Sequence, residues 1–170
     1  MRGSAADVIK RTADLATALG VSPTDGVLPD AKASFDQAAA KLTAASKSGL
    51  SVLVVAAYPD EGLYVAKAPD DPALRYYSTL GVKFVDPGGT GYYWETVSWE
   101  NAGKVPSDVV LYSRRAMDAP TMMKQATFAR TPAAAAGQVY PWVFAGMDYV
   151  AMSRYMTELA GYLGQAKKVT

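Results

Sequence analysis

The sequence predicts a three-layer α/β fold built round a mostly parallel sheet. Two short apolar runs, 51–57 and 108–112, are rich in valine and leucine and lack a polar alternation. Strands of that kind are covered on both faces, as in a parallel sheet. Segments of helical period lie between and around them, and glycines and prolines mark the breaks. Helices alternating with buried strands lead to a layered α/β arrangement.

Each element has its own warrant. Residues 5–19 read as a helix, with Val8, Thr12, Leu15 and Leu19 on one face and Gly20 as its stop. A second helix is expected over 30–47, capped by Asp30, burying Phe35, Ala38, Ala39 and Leu42. The strand 51–57 follows, then an extended piece at 62–66. Asp71 and Pro72 open a short helix that ends at Gly81, because proline is at home in a first helical turn. A strand at 82–85 leads into a glycine loop at 86–91. A strand end at 97 runs into a short helix with Ser98 as its cap. After the strand 108–112, Pro120 opens a helix to about 130. Residues 138–142 form a last strand, placed at an edge by Pro141. The helix 148–167 closes the chain, with Ala151, Tyr155, Leu159 and Tyr162 on one side.

Composition removes whole classes of chemistry. The 170 residues include no cysteine and no histidine. Disulfides, thiol nucleophiles, Cys/His zinc sites and every Ser-His-Asp arrangement are therefore excluded. A metal could meet only oxygen ligands of the protein, or arrive wrapped in a ligand of its own. A net charge of +1 argues against nucleic acid as a partner. No run of 18 apolar residues is present. No secretory leader is read at the start, and Met1 to Ser4 have the look of an artificial beginning.

Parallel α/β sheets gather ligands at the carboxyl ends of their strands, so residues just after strands are the candidates. Asp60 with Glu61, Asp70 with Asp71, and Glu95 with Glu100 are the carboxylate pairs an enzyme would use; solvated charge, and for Asp70 and Asp71 a helix cap, explain them better. The loop Gly88, Gly89, Thr90, Gly91 lacks the spacing of either common phosphate-binding glycine motif and reads as a turn or a mobile rim. Tyr93 and Trp94 follow that loop, and Trp142 and Phe144 fall in or after the last strand. Rings at such positions line clefts, since they give large, rigid contact area. Trp99, within a short helix, reads as packing. Arg114 and Arg115 follow a strand end, where guanidinium forks can hold carboxylate or other oxyanions, or pair on the surface.

The pattern W-x-x-V-S-x-E at 94–100, followed by P-x-D-V-V at 106–110, resembles the second lobe of ABC-transporter substrate-binding proteins. The group in question captures ferric siderophores, haem and cobalamin. The opening helix resembles the end of that family's long interlobe helix, and the strand from Ser51 the first strand of the lobe. The segment 137–142 and the terminal helix resemble its closing part. The likeness implies a Rossmann-like C-terminal lobe over 21–170, preceded by the interlobe helix at 1–20.

The resemblance also implies roles. Glu100 matches the outer-surface carboxylate that docks on arginines of the membrane permease. Trp94, Trp142 and Phe144 match ligand-facing aromatics, whereas Arg114 and Arg115 have no family counterpart and rest on position. The implied protein is a non-enzymatic, extracytoplasmic receptor, membrane-anchored or periplasmic, with no cofactor of its own. Its partners would be an iron–siderophore chelate, an ABC permease and an N-terminal lobe that this chain lacks. Cobalamin or haem would suit the same cleft. One lobe supplies half a cleft, so the chain alone is expected to bind weakly. A small α/β enzyme or a self-associating module are the readings from other classes.

Overall fold

A computed structural model describes residues 4–143 and 146–170. Its centre is one six-stranded sheet. The strands are β1 (Ser51–Tyr58), β2 (Gly62–Ala66), β3 (Lys83–Phe84), β4 (Trp94–Val97), β5 (Val109–Ser113) and β6 (Val139–Trp142), in the order β4-β2-β1-β5-β6, with β3 also paired to β1. Pairings β1–β3, β1–β5 and β5–β6 are parallel; β1–β2 and β2–β4 are antiparallel.

The valine runs behave as their composition requires. Along β1, Val52 and Val54 enter one core while Leu53 and Val55 enter the other. In β5, Val109 and Leu111 face the first core and Val110 the second. Each such side chain contributes roughly 1.5–3 kcal/mol when fully buried. The first core is closed by helices α1 (Ala5–Ala18), α2 (Val27–Ser46), α3 (Pro72–Thr79) and α7 (Tyr149–Gln165). The second is closed by the 3-10 helix Trp99–Lys104 and by α4 (Ala119–Met122), α5 (Ala126–Ala129) and α6 (Pro132–Ala135).

Two expectations, on the start of α2 and on the helix from Pro120, need correction, and the direction of β2 is set by its turn. β2 is antiparallel, because the turn from Tyr58 to Gly62 is far too short for a crossover helix. Gly62 is obligatory there: its φ is +101°, and a Cβ would lie 2.4 Å from the Val97 carbonyl oxygen. Helix α2 starts at Val27 behind Gly26, so Asp30 sits in its first turn rather than at its cap, where the helix dipole still favours it. The single helix expected from Pro120 is three one-turn pieces. Met122 and Phe128 are both buried, yet positions six apart on one continuous helix point about 120° away from each other.

Helix α1 is closed at its start by a capping box between Ser4 and Asp7. It buries Ala5 and Ile9 but leaves Leu15 and Leu19 exposed.

The chain's end is tied across the amino edge of the sheet. Asp108, wholly buried, accepts hydrogen bonds from the Ser51 N–H and hydroxyl at 2.8 Å each and from the Val169 and Thr170 N–H groups at 2.7 and 2.9 Å. Lys168 Nζ lies 3.2 Å away. Gln138 completes the tie, accepting from Lys167 N–H at 2.6 Å and donating to the Lys167 carbonyl at 2.9 Å. Burial alone would raise the Asp108 pKa, but hydrogen bonds from Ser51, Val169 and Thr170 outweigh it and hold the carboxyl far below the usual range.

Two outcomes follow. Asp108→Asn should lower the unfolding free energy by about 2–3 kcal/mol, since it removes a charged acceptor from several donors; urea titration of both forms measures this. A depressed native pKa gives stability that is complete above the unfolded carboxyl pKa of about 4 and is lost as pH falls below it. The wild-type midpoint should therefore drop on acidification below that point, and the variant's should drop less. Separately, Trp142 is 2% exposed, packed edge-on by Tyr77 at 5.9 Å and by the tilted ring of Tyr155 at 5.6 Å. Trp142→Ala should cost about 3–5 kcal/mol in thermal or urea unfolding.

Candidate functional site

The carboxyl edge of the sheet carries the ends of β1, β5 and β6 together with the start of α3. A cavity of about 260 Å³ opens there, between α3, β6 and α7. Leu74, Tyr77, Trp142 and Tyr155 form its wall, with Asp71 and Met147 at its margin. Its lining is mainly apolar, and its volume falls below the roughly 300–1,000 Å³ of sites that enclose a small ligand.

The expected residues are distributed around this edge in different ways. Trp142 is a correction: it is core, and reaches the site only as the cavity floor. Its place at the end of an edge strand suggested a loop position, but α3 and α7 fold over it. Trp94 is half-buried against the first core rather than standing free. Phe144 lies outside the described residues. Tyr93 is half-buried, and its ring meets that of Tyr92 at 4.4 Å. Hydrogen bonding to Tyr92, with the nearby carboxylates of Asp71 and Asp70, pushes the Tyr93 phenol above its ordinary pKa. The Tyr93 carbonyl accepts from the Lys67 N–H at 2.8 Å and the Lys67 carbonyl accepts from the Asp71 N–H at 3.3 Å, which ties Tyr93 to the Asp71 side of the cavity.

Tyr92 belongs to the same aromatic run after the glycine loop but is not among the residues expected at the site. It is 66% exposed, more than any other aromatic in the described chain. Its position beside a glycine loop was the available signal, but two adjacent tyrosines gave no way to tell which faces solvent.

Arg114 and Arg115 are both exposed and enter no ion pair among the described residues. The Arg114 N–H donates to the Trp142 carbonyl at 3.1 Å, which fixes it over the gap between β5 and β6. Arg115 N–H donates to the Ser113 hydroxyl at 3.3 Å. Burial raises the Tyr162 pKa and the Arg114 charge opposes that rise. Tyr162 stacks on Tyr140 at 4.5 Å, almost coplanar. A cation beside stacked phenols is a favourable wall for an anionic, partly aromatic chelate.

Glu100 is exposed on the 3-10 helix. Its own backbone N–H and the Ser98 hydroxyl hold its carboxyl below the usual range, so it is ionised at neutral pH. The helix beneath it is rigidly seated. Trp99 is buried edge-on to Phe128, and its indole N–H donates to the Tyr58 and Pro59 carbonyls at 3.2 and 2.9 Å. Trp99 is thus a packing residue, as its place in the short helix suggested.

The carboxylates an enzyme would need do not converge. Asp60 and Glu61 are exposed at the β1–β2 turn, where Glu61 accepts from the Tyr64 hydroxyl. Glu95, on β4, accepts from the Gly91 N–H at 2.9 Å. Asp71 caps α3, accepting from Ala73 and Leu74 N–H at 2.8 and 2.9 Å. Among the described residues no group of three Asp or Glu side chains is placed to hold a metal ion, and no helix is long and apolar enough to cross a membrane.

Comparison with known proteins gives one pattern. A ferric-siderophore receptor protein from Streptomyces coelicolor, DesE, superposes with a TM-score of 0.87 at 34% identity, over 98% of this chain and 59% of that one. A siderophore periplasmic binding protein from the fuscachelin gene cluster of Thermobifida fusca matches at 0.71 and 19% identity, over 95% and 62%. FhuD2 from Staphylococcus aureus, with bound ferrioxamine B, matches at 0.64 and 14% identity, over 95% and 64%. The last two show likeness of fold alone. The chain spans about three-fifths of the length of these structures. No curated protein matches it. The sequence profile of the periplasmic binding proteins matches residues 30–144, which include every strand, the Arg114–Arg115 pair and Glu100. The chain belongs to the periplasmic binding protein family.

Proposed function

We propose that this chain is the C-terminal lobe, with part of the interlobe helix, of an extracytoplasmic solute receptor that delivers a ferric siderophore to an ABC permease. The observation that carries the reading is the 34% identity, sustained over 98% of the chain, to a ferric-siderophore receptor. The site chemistry agrees with it. A chain without histidine or cysteine has no imidazole or thiolate to offer a metal, which fits iron held by oxygens of its own chelator. The protein would supply aromatic walls from Tyr92, Tyr93 and the Tyr140–Tyr162 stack, and charge from Arg114 and Arg115. Trp94 and Trp142 would support those walls from beneath.

A cavity of about 260 Å³ is half a site. A second lobe over the carboxyl edge would complete it, and the isolated chain would bind weakly. Glu100, ionised and seated on a buried tryptophan, would be the lobe's contact with a basic socket on the permease, fixing register more than affinity.

Three measurements test this. In the two-lobed receptor carrying this chain, tryptophan quenching across a panel should respond to ferric siderophores; a response to cobalamin or haem alone would replace the ligand. Arg114→Gln with Arg115→Gln should weaken a carboxylate-bearing ferric siderophore by about tenfold or more while changing a neutral trihydroxamate little, because charge-assisted contacts are lost only for the anion. Glu100→Lys should leave ligand affinity unchanged and abolish receptor-stimulated ATP hydrolysis by the permease. Unchanged stimulation would remove Glu100 from the docking surface.

A further inference from the structure

The segment between β3 and β4 is held from both ends by two ionic side chains that make no ion pair among the described residues. Lys67, just past β2, sends its Nζ to the Gly88 and Gly89 carbonyls at 3.1 Å each. Its backbone N–H donates to the Tyr93 carbonyl at 2.8 Å. Glu95, the second residue of β4, accepts from the Gly91 N–H at 2.9 Å. The loop is wrapped closely round that carboxylate. A Cβ at Gly89 would lie 2.2 Å from the Glu95 carboxyl, and one at Gly91 would lie 2.0 Å from the Trp94 carbonyl oxygen. Within this grip Tyr93 adopts a φ of +61°, the one non-glycine residue with a positive φ among those described. A tyrosine leaves that region unless its surroundings hold it there. Beside it stands Tyr92, the most exposed ring among the described residues.

We infer that Lys67 and Glu95 are positioning residues, which fix the Tyr92–Tyr93 pair in advance as a rigid wall of the ligand cleft. The inference rests on the receptor reading above. Large exposed rings that are already immobile lose little freedom when a ligand covers them, so preorganisation appears as affinity. A salt bridge between Lys67 and Glu95 would satisfy both charges without shaping the loop. Their use on three loop backbone groups, the Gly88 and Gly89 carbonyls and the Gly91 N–H, instead sets the path of the chain into the two tyrosines.

The test uses Lys67→Met, Lys67→Arg and Glu95→Ala, each alone and combined with Tyr92→Ala/Tyr93→Ala. Near-ultraviolet circular dichroism of this chain, without ligand, reads the tyrosine pair directly. The difference spectrum between the unaltered chain and Tyr92→Ala/Tyr93→Ala should collapse in Lys67→Met and Glu95→Ala, with the far-ultraviolet spectrum unchanged, and return in Lys67→Arg. In the two-lobed receptor, with ferrioxamine B as probe, Lys67→Met and Glu95→Ala should each weaken binding about tenfold, and by nothing further once both tyrosines are alanine. An unchanged tyrosine difference spectrum, or an equal loss of affinity with and without the tyrosines, overturns the inference. If the unaltered receptor ignores ferrioxamine B, the choice of ligand fails, while the dichroism still decides whether the two ionic side chains position the pair.

Discussion

Two neighbouring strands without a polar face govern this molecule. β1 and β5 send alternate side chains into two separate cores, so neither side of the sheet can be left to water. Helices must lie on both faces, and crossovers must return to the same edge. The only backbone that stays open to a ligand is then the carboxyl edge and the loops that leave it. The site's location is a consequence of where valine and leucine fall in two short runs.

The opposite edge has a different task. Asp108 and Gln138 gather the chain's last residues, Ser51 and β6 into one buried network. An ionised carboxyl survives there because donors surround it; without them burial would drive it neutral. Rigidity is thus concentrated at the amino edge and in the twin cores. The carboxyl end of β5 and the 3-10 helix after β4 carry exposed arginines and an exposed carboxylate that enter no ion pair among the described residues. That asymmetry separates a stiff base from a face of charge that is not spent on ion pairs among the described residues.

Family membership and fold agree on a periplasmic binding protein lobe. Within that frame, the glycine loop is better understood as a clamped segment than as a flexible rim. Gly89 and Gly91 are there because a carboxylate and a carbonyl occupy the space a Cβ would need. Glycine here serves close approach, and the mobility that composition suggested is absent from its contacts.

Much of the architecture was legible in the residues. Continuous apolar runs gave β1 and β5, and Asp71 with Pro72 gave the start of α3. Helical spacing gave α1 and α7 to within a residue or two. These are local consequences of side-chain periodicity and backbone preference, which a chain carries wherever it is placed. What only the tertiary structure decided is which way each ring and charge faces. Trp142 is sealed by α3 and α7, elements 70 residues before it and a few residues after it, and Tyr92 rather than Trp94 stands in solvent. The splitting of 119–135 into three short helices likewise depends on neighbours distant along the chain. Exposure is a property of what packs against a residue, and packing partners brought together by folding leave no trace in local spacing.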